Sequence, residues 1–419
     1  MNTKETKAVR GTIDWFDEDM ILFSAITNKI IEIANQYAYE RIKTPVFEHA
    51  ELFNRNLEHS DIVKKELYQF NDLSQRLLAL RPEGTASVMR AINEHKLLDK
   101  KALPLKLFYL EPMFRYERPQ KGRMREFHQF GIELVGDLDS SDYLQTILFA
   151  NKILNTFNLK CVLNINWIGN FDSRQKWVDH LNEYFKQYYD QLTELSQSRL
   201  GSYGVLRILD DKLESTKDFV KNAPGIEQFI SQEEQQYFKN FLNQLDQLNI
   251  KYVVNKQLVR GLDYYSEVVF EFILDNQDKS QSTLLAGGCY QTLVKELTNK
   301  DHQAIGFALS IERFICYLDE EIKNNLFLQA KKDIYLVINL EEDKLIDTIK
   351  LTEQLRDKQL NVFFNPRLKK LDKAIKYALR AKYSHLIILG YNEWQKNTVT
   401  IKNLDNQEQQ TIKLEDFIK

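Results

Sequence analysis

The chain has 419 residues, of which 14 are glycine and 7 proline, about half and a third of the usual shares. That excludes a collagen-like, low-complexity or linker-dominated protein, and 43% hydrophobic residues suffice for buried cores in two or three domains. A net charge of −3 excludes a uniformly basic nucleic-acid binder, although positive charge can still gather locally.

No apolar run approaches the ~18 residues that a membrane helix needs, so no bilayer span is expected. The opening MNTKETKAVRG is polar and lacks the apolar stretch of a signal peptide, so none is expected. Cys161, Cys289 and Cys316 have neither zinc-site nor disulfide spacing, which suits a cytoplasmic setting and predicts no closed protein metal site.

In chain order, residues 1–170 mix helical patterns with strands. Residues 172–248 are helical in pattern and rich in Gln, Asp and Lys. Strand-rich segments flank them, so they read as an insertion into one mixed domain. Strands Tyr252–Val254 and Val268–Leu274 follow, then an amphipathic helix near Phe307–Leu318. Asp319–Lys332 reads as a charged helical connector. Beyond it, Asp333–Asn339, a helix from about Lys344 to Gln359, Asn361–Phe364, a second helix and Leu386–Leu389 alternate. That βαβαβ order predicts a small doubly wound α/β domain. The expected division is therefore 1–325 and 326–419 in a mixed α/β protein.

The stretch LKLFYLEPMFRYERPQKGRMREFHQFGIELVG, residues 105–136, reads as strand, basic turn, strand, with Pro119 and Gly122 in the turn. Alternation puts Phe108, Leu110 and Phe114 of the first strand on one face, and Glu111, Met113, Arg115 and Glu117 on the other. In the second strand Phe130, Ile132 and Leu134 share one face; Arg123, Arg125, Phe127, Gln129, Gly131 and Glu133 share the opposite one. A solvated antiparallel sheet would also be polar on one side. Arginines and carboxylates around a phenylalanine, however, suit a planar base stacked on the ring with its phosphates held by guanidinium groups.

FRYERPQKGRMREFHQFGIELVG resembles the second signature motif of class II aminoacyl-tRNA synthetases, and in detail that of the histidyl-tRNA synthetases of bacterial type. Five more segments match that family in order. VRGTIDWFDED (9–19) resembles its N-terminal segment, and DIVKKELYQFND with LRPEGTASVMRA (61–72, 80–91) its first histidine-binding loop. LVRGLDYYSEVVFEF (258–272) and LLAGGCYQTLV (284–294) resemble its histidine-site motifs, and IGFALSIERF (305–314) class II motif three. The resemblance implies an antiparallel-sheet catalytic core carrying the helical insertion, followed by a C-terminal anticodon-binding domain. It also implies a homodimer.

The implied reaction joins the histidine carboxylate to the α-phosphate of ATP and then passes histidine to its tRNA. Charge neutralisation and alignment should dominate such a step. By resemblance, Arg115 binds the α-phosphate and carboxylate, Arg313 the γ-phosphate, and Arg260 the α-phosphate during transfer. Phe127 stacks on adenine, Glu117 takes its amino group, and Arg123 assists the bent triphosphate, with Mg2+ on the β- and γ-phosphates. Glu83, Thr85 and Gln129 hold the ammonium group of histidine. Glu133 and Tyr264 engage its imidazole nitrogens, and Tyr265 and Tyr290 line the pocket. Read from residues alone, Glu83 could equally cap a helix near Pro82, Arg313 could be a surface ion-pair partner, and Gly287–Gly288 could be a turn.

For tRNA, Arg118 and Gln120 match the motif-two turn that meets the acceptor end. In the C-terminal part, seven basic residues stand against one acid between Arg367 and Lys382. Leu371, Ala374, Ile375, Ala378 and Leu379 would form one apolar helix face. Lys369, Lys373, Lys376 and Arg380 form a basic stripe suited to the RNA backbone. Three positions depart from the family: Cys289 for arginine, Gln291 for aspartate and Asp17 for proline. The first two read as a compensated loss of an ion pair, or else as altered histidine affinity or a reactive thiol at Cys289. The competing reading of the whole chain is a silent paralogue serving as regulatory subunit of ATP phosphoribosyltransferase.

Overall fold

The computed structural model describes residues 6–54, 66–211, 213–259, 264–275 and 283–418. The chain divides into two compact units, 1–327 and 328–419. Strands of the first unit are, in chain order, β1 (Glu40–Arg41), β2 (Phe47–His49), β3 (Gln69–Asn71), β4 (Leu77–Leu80), β5 (Leu105–Phe114), β6 (Glu126–Gly136), β7 (Cys161–Trp167), β8 (Tyr252–Val254), β9 (Ser266–Leu274), β10 (Thr283–Cys289) and β11 (Gln303–Ser310). An eight-stranded sheet runs β1-β5-β6-β11-β10-β9-β7-β8, and β2-β4-β3 form a small separate sheet. Only the outer pairs of the large sheet, β1 with β5 and β7 with β8, are parallel.

The β5–β6 hairpin follows the predicted alternation. Phe108, Phe130, Ile132 and Leu134 pack with Ile26, Ile30 and Ile33 of helix Asp17–Gln36 and with Ile147 and Ile153 of helix Ser140–Thr156. The opposite face is not solvated. Leu107, Tyr109, Phe127 and Val135 pack there with Val88, Met89 and Ile92 of helix Thr85–Glu94. Buried polar side chains must find partners, so Gln129 and Glu133, caught in this covered layer, are held by specific bonds.

Between β7 and β8 the chain is helical, including helices Phe171–Lys186 and Gln232–Gln247. Trp177, Leu181, Phe185, Val205 and Ile208 give this insertion a core of its own. The stretch predicted as one helix from Phe307 is divided differently: Phe307–Ser310 end strand β11, and the helix is Ile311–Tyr317. Ser310 caps it, its Oγ accepting from the Arg313 N–H at 3.3 Å, so the strand stops where a capping side chain satisfies the first turn.

The second unit contains β12 (Ile334–Asn339), β13 (Asn361–Phe364), β14 (His385–Leu389), β15 (Thr398–Asn403) and β16 (Gln409–Lys413) in the order β13-β12-β14-β15-β16. The first three are parallel. Val337, Ile387 and Leu389 pack on Leu351 and Leu355 of helix Leu345–Asp357; Leu336, Ile338, Leu386 and Ile388 pack on Ala374 and Ala378 of helix Leu371–Arg380. Helices therefore cover both faces, as a doubly wound unit requires. The antiparallel pair β15–β16 extends the sheet beyond the predicted order. The predicted apolar helix face is narrower than expected: Leu371 and Leu379 remain exposed. Among the described residues, no helix is long and apolar enough to cross a membrane.

Candidate active site

The site lies on the covered face of β5 and β6, where the loop before helix Thr85–Glu94 crosses the sheet. Glu83 turns back to accept from the Thr85 and Ala86 N–H groups at 2.6 and 2.9 Å. The capping role open to it in the sequence is therefore realised, and burial pushes its carboxyl above the ordinary range. Thr85 Oγ1 donates to Glu133 Oε1 at 2.7 Å, and Tyr290 OH donates to Glu133 Oε2. Glu133 is 1% exposed; burial outweighs these donors and pushes its carboxyl up to about 8. Tyr264, Tyr265 and Tyr290 form an aromatic wall, with Tyr264 ring centroids 4.8 Å from Tyr265 and 5.5 Å from Tyr290. Burial keeps the Tyr264 and Tyr290 hydroxyls protonated, and so able to donate.

Gln129 Oε1 accepts from the Gly84 N–H at 3.2 Å and from Tyr109 OH at 3.3 Å. Tyr109 escaped the sequence reading, which took its strand face as a simple polar-apolar alternation. Its ring lies so close to Gly84 and Gly131 that a Cβ at either would come within 2.3 Å of it. The signal was the pair of glycines, too far apart in sequence to suggest one shared neighbour.

Farther along the hairpin, Arg115 Nε donates to the Pro82 carbonyl at 2.8 Å, and its guanidinium lies 5.4 Å from the Phe127 ring centroid. Glu117 sits between two cations, 3.7 Å from Arg115 and 3.2 Å from Arg123. The loop tip bends at Gly122, with φ +70°, where a Cβ would meet Arg313 Cγ at 3.0 Å. Burial, and then the neighbouring Arg123 charge, push the Arg313 guanidinium down from its ordinary range. Arg118 and Gln120 are exposed on the same loop. The N-terminal segment braces it, the Arg125 N–H donating to the Gly11 carbonyl at 2.7 Å. Arg260 lies outside the described residues.

Two further groups that sequence reasoning missed hold this frame. Fully buried Arg81 donates to the Pro112 and Thr44 carbonyls, each at 2.9 Å, and meets Glu111 at 3.3 Å. Glu312 accepts from the His128 N–H at 2.8 Å and lies 2.9 Å from His128 Nδ1, tying the helix of Arg313 to β6. Its signal was an acid beside Arg313 in a first helical turn.

Gly287 and Gly288 are strand residues rather than a turn. Added Cβ atoms would meet the Gly306 carbonyl at 2.2 Å and the Val268 carbonyl at 2.7 Å, so they admit neighbouring backbone. Cys289 is buried in the core on the far side of the sheet, and burial pushes its thiol well up. Gln291 bonds instead to Asp301 at 3.0 Å, so neither departure leaves a buried unpaired charge. Asp17 has φ +48°, a conformation closed to the proline usual there.

In the second unit Lys373 and Lys376 are exposed, whereas Lys369 is engaged by Glu342.

Residues 11–314 match the family described as histidyl-tRNA synthetase, and residues 335–419 match the anticodon binding domain. A histidine–tRNA ligase of Mycoplasmoides gallisepticum is 68% identical over 419 residues, covering 100% of both chains. One from Ureaplasma urealyticum is 45% identical, covering 98% of each. The crystal structure of apo Staphylococcus aureus histidyl-tRNA synthetase superposes with a TM-score of 0.82 at 32% identity, covering 99% of this chain and 100% of that one. With both segments matched and the relatives aligned end to end, the chain belongs to the histidyl-tRNA synthetase family.

Proposed function

We propose that this chain activates histidine with ATP and transfers it to the 3′ end of histidine tRNA. The carrying observation is Glu133, buried between Thr85 and Tyr290 in a tyrosine-walled pocket on the same sheet face as Arg115 and Phe127. A carboxyl facing protonated tyrosyl hydroxyls offers both donor and acceptor partners to the two imidazole nitrogens. Tyr264 takes the second nitrogen, Tyr265 and Tyr290 close the pocket, and Glu83, Thr85 and Gln129 receive the ammonium group.

Arg115 bridges the histidine carboxylate and the α-phosphate, Phe127 stacks on adenine, and Glu117 accepts from the adenine amino group. Arg123 and Arg313 hold the β- and γ-phosphates. The carboxylate oxygen attacks the α-phosphorus as pyrophosphate leaves; a terminal ribose hydroxyl of tRNA then attacks the carbonyl as AMP leaves. Arg260 serves that transfer by resemblance. By resemblance, Mg2+ would accompany ATP, held mainly by the β- and γ-phosphate oxygens.

Residues 1–325 are the catalytic domain and 326–419 the anticodon-binding domain. Arg118 and Gln120 meet the acceptor end, and Lys369, Lys373 and Lys376 the anticodon arm. The active form is a cytoplasmic homodimer. Its support here is the small sheet β2-β4-β3, which leaves Phe47, Phe70 and Leu77 exposed, apolar surface of the kind that marks an interface.

Histidine-dependent ATP–pyrophosphate exchange tests the reading. Exchange stimulated by histidine, with tRNA charging, is the expected result; a folded protein with neither would overturn it in favour of a regulatory paralogue.

A further inference from the structure

The first turn of helix Ile311–Tyr317 is tied to β6 by a link that joins two parts of the nucleotide site. The ladder between β6 and β11 ends at the pair Gln129–Ser310, so the N–H of His128, next on β6, has no residue of β11 to meet. A backbone N–H held away from water needs a partner, and Glu312 supplies it. Its two carboxylate oxygens lie 2.8 and 2.9 Å from the His128 nitrogen, and Oε1 also lies 2.9 Å from His128 Nδ1. Ser310 Oγ donates to the same carboxylate at 3.1 Å, and Phe23 meets the His128 ring edge-on at 4.9 Å. Glu312 is 6% exposed and, among the described residues, pairs with no lysine or arginine.

The two bonded residues stand next in sequence to two that are assigned to ATP. Phe127 precedes His128, and alternation turns its ring to the opposite face of the strand, among the side chains under helix Thr85–Glu94. Arg313 follows Glu312. The rest of its helix is anchored by Ile311 and Phe314, both fully buried in the core. Such apolar contacts are non-directional and keep the helix in place without fixing its rotation. Hydrogen bonds to a strand are directional, and fix it.

We propose that Glu312 is a positioning residue for the triphosphate. It sets Arg313 against Phe127, and with that the span between the adenine ring and the γ-phosphate. The proposal rests on the reading that Phe127 and Arg313 hold ATP. Glu312 touches no substrate and acts through Arg313, so its effect falls on ligands that reach the β- and γ-phosphates, namely ATP and pyrophosphate. AMP and histidyl-adenylate end at the α-phosphate and are spared.

The test is titration of the full-length protein with ATP, AMP and a non-hydrolysable histidyl-adenylate analogue, beside histidine-dependent pyrophosphate exchange. Glu312→Ala should weaken ATP binding and raise the pyrophosphate KM about 10- to 100-fold, the scale of a shift near 1 Å, with AMP and the analogue within about twofold. Glu312→Gln keeps an oxygen for the His128 N–H and should recover most of the loss. Arg313→Ala removes the advantage of ATP over AMP by itself, and adding Glu312→Ala to it should cost less than about twofold more. Equal losses for ATP and AMP, or losses that multiply in the double variant, would overturn the proposal in favour of general support of the sheet. Should Glu312→Ala not fold, Glu312→Asp, which keeps the charge and shortens the reach, decides by the same comparison. A parent that binds ATP and AMP without exchange would end the ligase reading, while the ATP–AMP comparison would still judge Glu312; a parent that binds neither would sink both.

Discussion

Thr85 Oγ1 and Glu133 Oε1, 48 residues apart, meet at 2.7 Å, joining the first turn of a helix to the middle of a buried strand. The bond positions a carboxyl where water is excluded, and burial pushes it up to about 8. In the unfolded chain the same group titrates near the ordinary value for Glu, about 4.3. The folded protein therefore binds the extra proton between these limits, and its stability falls as pH rises through that window.

Glu133→Gln removes the titration while keeping the shape. Thermal melts without substrate should show the variant gaining on the parent as pH rises from about 5 to 8. Below about pH 4 that advantage should vanish. Histidine-dependent exchange should fall about 100-fold, the scale of losing one aligned polar contact in a site. A pH-independent difference in melting would show that Glu133 is not the titrating group.

Arg81 makes a structural prediction. Its guanidinium is fully buried beside Glu111, itself 5% exposed, and Arg41 approaches that carboxylate only to 4.0 Å. Arg81→Met strands Glu111, and such a loss costs about 3–5 kcal/mol. Chemical denaturation should show that drop, and adding Glu111→Leu should recover part of it. A loss below about 1 kcal/mol, the scale of an exposed pair, would mean that Glu111 finds other partners.

How far the sequence foretold this site depends on the range of the signal. The two faces of β5 and β6 were legible because alternation is local, and it placed Gln129 and Glu133 together. That helix Thr85–Glu94 covers this face was not legible, because contacts across many residues leave no periodicity. Tyr109 and Arg81 were missed for the same reason: each acts through distant backbone or glycines. Phe307 was assigned to a helix because IGFALSIERF is apolar at both helical and strand spacing, and only the Ser310 cap divides it. Leu371 and Leu379 fit an apolar helix face by spacing, yet the small sheet beneath reaches only Ala374, Ile375 and Ala378.

Cys289 should be chemically quiet. It is 3% exposed, and burial and then Glu267 raise its thiol well above the ordinary range, which suppresses the nucleophilic thiolate. Iodoacetamide at pH 8 should modify it at least ~100-fold more slowly in the folded protein than in denaturant, read by peptide mass spectrometry. Cys289→Ala should keep histidine-dependent exchange within about threefold, at a stability cost of ~1 kcal/mol for the small cavity. Rapid native labelling with loss of exchange would restore the reactive-thiol reading.

Gly306 offers a direct probe of how finely Glu133 is held. It pairs with Glu133 across β11 and β6, and an added Cβ would lie 2.3 Å from the Ile132 carbonyl and 2.4 Å from Glu133 Oε2. Neither approach is tolerable, so Gly306→Ala must move the strand or the carboxyl, at about 1–3 kcal/mol of stability. Displacing the carboxyl should raise the histidine KM about 10-fold or more, since a shift near 1 Å can cost 100-fold. The KM for ATP should stay within about twofold, because Phe127 and Arg115 lie toward the other end of the hairpin. Equal increases in both constants would point to general damage of the sheet; a selective rise for histidine is what a carboxyl dedicated to the imidazole requires.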